Sequence, residues 1–149
     1  MNGENAIDPQ SEEDSNRPPP LVGLHHVRVP VRDLGAARDW YVETLGFSSV
    51  LEYELEEELV GISLTHPSGF TIGLHHAPLQ AEALAGFTLL ALDAGNRSLL
   101  QSWDEWLESR GVVHSPIGEG PLGWHIELTE PSGLVIELHT SEHPSADEA

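Results

Sequence analysis

The 149-residue sequence contains no cysteine and no lysine. The first absence excludes disulfides, thiolate nucleophiles and cysteine-bound metals. The second excludes Schiff-base chemistry and the phosphate-binding lysine of a P-loop. All six basic residues are arginines, set against 25 Asp and Glu, for a formal net charge of -19. Such a surface repels nucleic acid and anionic membranes, so neither is expected as a partner. No apolar run reaches the ~20 residues that span a bilayer. The opening MNGENAIDPQSEEDSNRPPP is acidic and Pro-rich, without the basic start and apolar stretch of a signal peptide. Residues 1–20 read as a disordered tail and 141–149 as a second, short one. A cytoplasmic protein is the expectation.

What the chain does have is a repeat. GISLTHPSGFTIGLHH (61–76) and HIELTEPSGLVIELHT (125–140) agree at nine of sixteen positions without a gap. Within that match Gly61 faces His125, and Gly73 faces Glu137. The flanking segments repeat too. LHHVRVPV (24–31) alternates and is β-branched, as a strand should be. DLGAARDWYVETLG (33–46) predicts a helix, with Asp33 as N-cap and Gly46 as stop. SSVLEYEL, LVGISLT and FTIGLHH predict three more strands, the acidic run at 54–59 being a solvated hairpin. The second half gives a strand at 87–93 and a helix at 96–111. That helix has Asn96 as cap and Leu99, Leu100, Trp103, Trp106 and Leu107 as its core stripe. A short Pro-interrupted edge strand, VVHSPI, and the hairpin GWHIELT–LVIELHT follow. The period is that of an internal duplication. The expected layout is one domain over 21–140, with module one at 22–77, a linker at 78–86 and module two at 87–140.

Alternation divides each module into an apolar and a polar face. In the last hairpin Ile126, Leu128, Leu134, Ile136 and Leu138 form the apolar set. His125, Glu127, Thr129, Glu137 and His139 oppose them. In module one His26 and Arg28 oppose Val27, Val29 and Val31, while Thr71, Gly73 and His75 oppose Phe70, Ile72 and Leu74. His25 falls on the apolar side and reads as a packed or edge histidine. His66, His114 and His143 read as loop or edge residues. Polar faces rich in His, Arg and Thr suit a ligand cavity better than a merely solvated surface.

These pieces (HHVRVPVRDLGAARDWYVETLGF, HPSGFTIGLHH and GWHIELTEPSGLVIELH) resemble the vicinal oxygen chelate superfamily. Glyoxalase I, extradiol dioxygenases and bleomycin resistance proteins belong to it. The resemblance covers roughly 22–140. It implies an α+β fold of two β-α-β-β-β modules forming a curved, mostly antiparallel, glyoxalase-like sheet around a cavity. It also implies a small-molecule substrate, a homodimer, and a divalent metal (Fe, Mn, Ni or Zn) held on the first and last strands of the modules. Carried over, His26 matches the first-strand histidine and Glu137 the terminal glutamate. Gly73 stands where module one often offers a ligand, and His75 could replace it. No His, Asp or Glu occurs in GFTLLAL (86–92), where module two often supplies a histidine. The expected metal set is therefore His26, His75 and Glu137, with His125 or His139 as substitutes. Glu137 or Glu127 would move a proton, and Arg28, Trp124, His125 and His139 would contact substrate. Arg28 alone makes a thin basic pocket. The expected activity is that of a metal-dependent lyase, isomerase or ring-cleaving dioxygenase. The alternative is a metal-free protein that binds and sequesters a small molecule, as bleomycin resistance proteins do.

Overall fold

A computed structural model describes residues 16–142. Residues 1–15 and 143–149, which include His143 and most of both expected tails, lie outside the described residues. Two modules follow one another in the chain. The first comprises β1 (Val27–Val31), α1 (Leu34–Leu45), β2 (Ser48–Leu55), β3 (Glu58–Thr65) and β4 (Thr71–His76). A short helix, α2 (Pro78–Ala83), leads to the second: β5 (Thr88–Gly95), α3 (Arg97–Ser109), β6 (Gly118–Gly120), β7 (Gly123–Thr129) and β8 (Val135–Thr140). Each module makes its own four-stranded sheet, ordered β1-β4-β3-β2 and β5-β8-β7-β6. The first strand of each runs parallel to the fourth, and the remaining pairs are antiparallel.

Local chemistry accounts for these elements. Asp33 caps α1 by accepting from the Ala36 amide at 3.0 Å, and Asn96 caps α3 by accepting from Leu99 at 2.9 Å; each cap is worth about 1 kcal/mol. Gly46 ends α1 with φ +81°, a left-handed conformation that glycine adopts without a Cβ penalty. The two PSG turns are built alike: His66 and Phe70 close the first and Glu130 and Leu134 the second, each through a 2.9 Å backbone bond. Apolar side chains of both sheets pack under their own helix, and Tyr41, Ile62, Leu64, Leu100, Leu107 and Ile126 have no measurable exposure. Full burial of such a side chain stabilises by about 1.5–3 kcal/mol.

The modules are stitched by specific bonds. The Arg32 amide donates to Ser132 Oγ at 3.0 Å and Trp106 Nε1 to Thr44 O at 3.0 Å, while Gly86 N, at the end of the linker, donates to Gly133 O of module two at 2.8 Å. Glu130, only 2% exposed, lies at this seam. Its Oε1 accepts from Ser132 N at 2.7 Å and Leu134 N at 3.0 Å. Burial pushes its pKa up, and the buried Tyr41 hydroxyl, raised mainly by desolvation, also feels its charge.

Several expectations need correction. The first strand begins at Val27, so His25, read as packed or at an edge, is exposed just before the strand, with its Nδ1 2.8 Å from Nδ1 of His26. VVHSPI forms no strand, because Pro116 has no amide to donate; one bridge, His114 to Leu128, remains, and the edge strand is Gly118–Gly120. The linker holds a helix started by Pro78. Trp106 is 40% exposed, because its indole spans to α1 instead of filling the core, and Arg110 lies 4.8 Å over its ring.

Candidate functional site

Strand register aligns the two modules residue by residue. Arg28 pairs with Gly73 and Pro30 with His75; in the second sheet Ala91 pairs with Glu137 and Asp93 with His139. Arg28 thus corresponds to Ala91, and His26, two residues earlier on the same face, to Leu89. Gly61 and Ser63 pair with His75 and Gly73, as His125 and Glu127 pair with His139 and Glu137. The second module therefore carries His125, Glu127 and Glu137 where the first carries Gly61, Ser63 and Gly73. The first carries His26 and Arg28 where the second carries Leu89 and Ala91.

On the second sheet, His125, Glu127 and Glu137 each offer a ligand atom, all within 4.8 Å of one another. Glu127 and Glu137 face each other directly across the strands. Like charges so placed repel unless a proton or cation lies between them. His139 sits beside them, its Nε2 3.7 Å from Glu137 Oε1. Its ring stacks on His125 with centroids 5.9 Å apart. His139 Nδ1 lies 2.7 Å from Thr140 O. A carbonyl only accepts, so Nδ1 carries a proton and donates it, and Nε2 is the nitrogen that faces Glu137. One imidazole and two carboxylates suit Mn(II), Fe(II) or Zn(II) and leave coordination positions open.

On the first sheet, His26, Arg28, Tyr53, Ser63, Thr71 and His75 border a cavity of about 360 Å³ floored by Gly61 and Gly73. His26 and His75, expected beside Glu137, thus line a separate cavity, and Glu137 groups with His125 and Glu127 instead. Trp124, expected to contact substrate, is 5% exposed. It shares strand parity with Ile126 and Leu128, so it joins the core, and Arg97 lies 5.2 Å over its ring. Between the modules, Val27, Phe70 and Ile72 face Leu89, Leu90 and Leu92 across a largely apolar cavity of about 550 Å³.

Comparison with known proteins agrees with this architecture. The family model of the Glyoxalase/Bleomycin resistance protein/Dioxygenase superfamily matches residues 23–138. The chain belongs to this superfamily. An antibiotic binding protein, TnmS3, from Streptomyces sp. CB03234 superposes with a TM-score of 0.68 at 23% identity, covering 82% of this chain and 98% of that one. A lactoylglutathione lyase from Agrobacterium tumefaciens gives 0.64 at 15% identity, over 82% and 96%. The fosfomycin resistance protein FosX from Listeria monocytogenes gives 0.65 at 15% identity, over 86% and 98%. No curated protein sequence matches significantly. At these identities the structures share the fold, and their differing activities do not transfer. Among the described residues no helix is long and apolar enough to cross a membrane.

Proposed function

We propose that this superfamily member is a divalent-metal-dependent enzyme of the lyase, isomerase or ring-cleaving dioxygenase type, acting on a small molecule with neighbouring oxygens. The observation that carries this reading is the convergence of His125, Glu127 and Glu137 within 4.8 Å on one hairpin. These three residues would hold the ion, which when bound supplies Lewis acidity toward substrate oxygens. With both glutamates engaged, His139 Nε2 is the nearby group left to take a proton, and the Thr140 carbonyl holds the proton on Nδ1. His26 and His75 line the cavity of the other module and are not among these three ligands. A homodimer in the cytoplasm is the assembly we propose.

A metal-free small-molecule binder is the second reading. Leu89 and Ala91 favour it, since they offer no ligand atom where module one has His26 and Arg28, and they border the apolar inter-module cavity. Manganese(II) titration of the full chain, followed by electron paramagnetic resonance, separates the two. One tightly held ion per chain is expected, with affinity down about tenfold or more in His125→Ala, Glu127→Gln and Glu137→Gln. His66→Ala should bind as wild type does. Metal loss in His26→Ala with none in His125→Ala would return the ligand set to the first strand. No binding of Mn(II), Fe(II), Ni(II) or Zn(II) would leave the binding protein.

A further inference from the structure

The first-module cavity has the opposite electrostatic character to the second-module cluster. The chain has 25 acidic residues and six arginines, yet among the described residues no carboxylate lines this cavity. Its polar side chains are Arg28, three histidines, Tyr53, Ser63 and Thr71, all able to donate hydrogen bonds. The other arginines of the folded modules are engaged. Arg38 pairs with Asp39 and Glu52, Arg97 and Arg110 lie over indole rings, and Arg32 faces the charge of Glu130. Arg28 has no ion pair, hydrogen bond or ring contact with any described residue. An exposed guanidinium with no partner among the described residues, in a chain so rich in carboxylates, is available to accept an anion.

The glycines shape the space. A Cβ at Gly61 would stand 3.4 Å from Tyr53 Cδ2 and 3.2 Å from Leu74 O, so glycine lets the tyrosine ring lie close over the sheet. Tyr53 remains 49% exposed, presenting an aromatic face to the cavity it lines. Gly73, the cross-strand partner of Arg28, leaves the guanidinium without the carboxylate that the other copy has at Glu137. A single planar guanidinium matches one carboxylate through two parallel bonds; a compact dianion such as phosphate would call for more fixed charge.

We propose that this cavity is a separate site for a planar organic carboxylate, with the carboxylate on Arg28 and the flat body against Tyr53. His26 and His75 flank it as further donors. The site uses none of the proposed metal ligands, so it is tested with metal removed and its failure leaves the metal reading untouched.

The test is calorimetric titration of the full chain in chelator with benzoate, benzyl alcohol and inorganic phosphate. One benzoate per chain is expected, with benzyl alcohol and phosphate each about tenfold weaker or worse. Arg28→Gln should weaken benzoate about tenfold or more. Gly73→Glu should abolish binding by restoring a carboxylate opposite Arg28. Its Cβ would meet His26 Cδ2 at an ordinary 3.7 Å, so the variant should fold, and circular dichroism verifies that. Arg38→Gln, away from the cavity, should bind as wild type does. No benzoate binding, equal binding of benzyl alcohol, or unchanged affinity in Arg28→Gln or folded Gly73→Glu would overturn the proposal. Phosphate binding as tightly as benzoate would overturn the planar-carboxylate assignment.

Discussion

Glutamine at position 130 should make the protein less sensitive to rising pH, and alanine there should destabilise it strongly. Glu130 is 2% exposed, and its Oε1 serves two buried amides, Ser132 N and Leu134 N. Oε2 has no hydrogen-bond partner among the described residues. Desolvation raises the carboxyl pKa, the effect being partly offset by the two amides and by Arg32. The folded state therefore holds this proton more tightly than the unfolded chain does. The resulting stability is complete below the unfolded pKa and is lost as pH rises through the higher folded pKa. Glutamine keeps an oxygen for both amides but cannot ionise. The melting temperature of Glu130→Gln minus that of wild type should therefore climb as pH rises above about 4, the unfolded carboxylate range. Glu130→Ala strands two buried amides at about 1–3 kcal/mol each, or about 2–6 kcal/mol together. At roughly 4 °C per kcal/mol for a domain of this size, the loss is roughly 8–24 °C. Thermal unfolding by circular dichroism across that pH range reads both effects. A flat difference for glutamine, or an alanine variant as stable as the glutamine one, would refute the reasoning.

The other expectations concern His114 and Gly123. His114 Nε2 lies 2.8 Å from Asp104 Oδ1 and its Nδ1 2.8 Å from Val112 O, so both nitrogens face acceptors, which favours the imidazolium. Its pKa is raised, chiefly by the Val112 carbonyl and further by Asp104. The contribution is full below the unfolded value near 6.5 and fades as pH rises through the folded one, so the melting advantage of wild type over His114→Gln should shrink on going alkaline. At acid pH that advantage should be about 1–3 kcal/mol, and thermal melts at several pH values check it. Gly123 has φ +137°, and a Cβ there would lie 2.6 Å from Thr140 Oγ1 and 2.9 Å from two backbone oxygens. Gly123→Ala should cost several kcal/mol, of the order of 3 or more. Gly69→Ala, also at positive φ but in open space, should cost clearly less; urea unfolding of the two variants makes the comparison.

Local rules explain why so much of the fold was readable. Period-two alternation correctly placed Ile126, Leu128, Ile136 and Leu138 in the core, and PSG demanded left-handed glycines, which Gly69 (φ +106°) and Gly133 (φ +96°) supply. The same alternation could have placed Trp124, which shares parity with Ile126; proximity to a polar hairpin misled instead. His25 was misplaced because strand periodicity was extended past the point where pairing begins, and pairing is a tertiary fact. The grouping of Glu137 with His125 and Glu127 follows from cross-strand register on one hairpin, a contact readable from the turn length once the turn is known. The separation of His26 and His75 from that group depends on how two sheets are disposed, about which a linear pattern is silent.

The duplicated hairpins show divergence with a logic beyond lost ligands. At the turn, His66 Nδ1 accepts from Ser68 N at 3.1 Å, and Glu130 Oε1 accepts from Ser132 N at 2.7 Å. Different side chains perform one structural task, so the first residue of the turn was free to change provided it still offered an acceptor. On the polar faces the changes are complementary. Glycine or serine in one copy stands opposite histidine or glutamate in the other, and Leu89 and Ala91 stand opposite His26 and Arg28. The paired carboxylates Glu127 and Glu137 stand on the second sheet, and Arg28 stands on the first. A chain that retained two equal half-sites would repeat one chemistry. On the assignments proposed above, a cation-binding hairpin is separate from an anion-binding cavity, so removing Arg28 and removing Glu137 should impair the binding of different ligands.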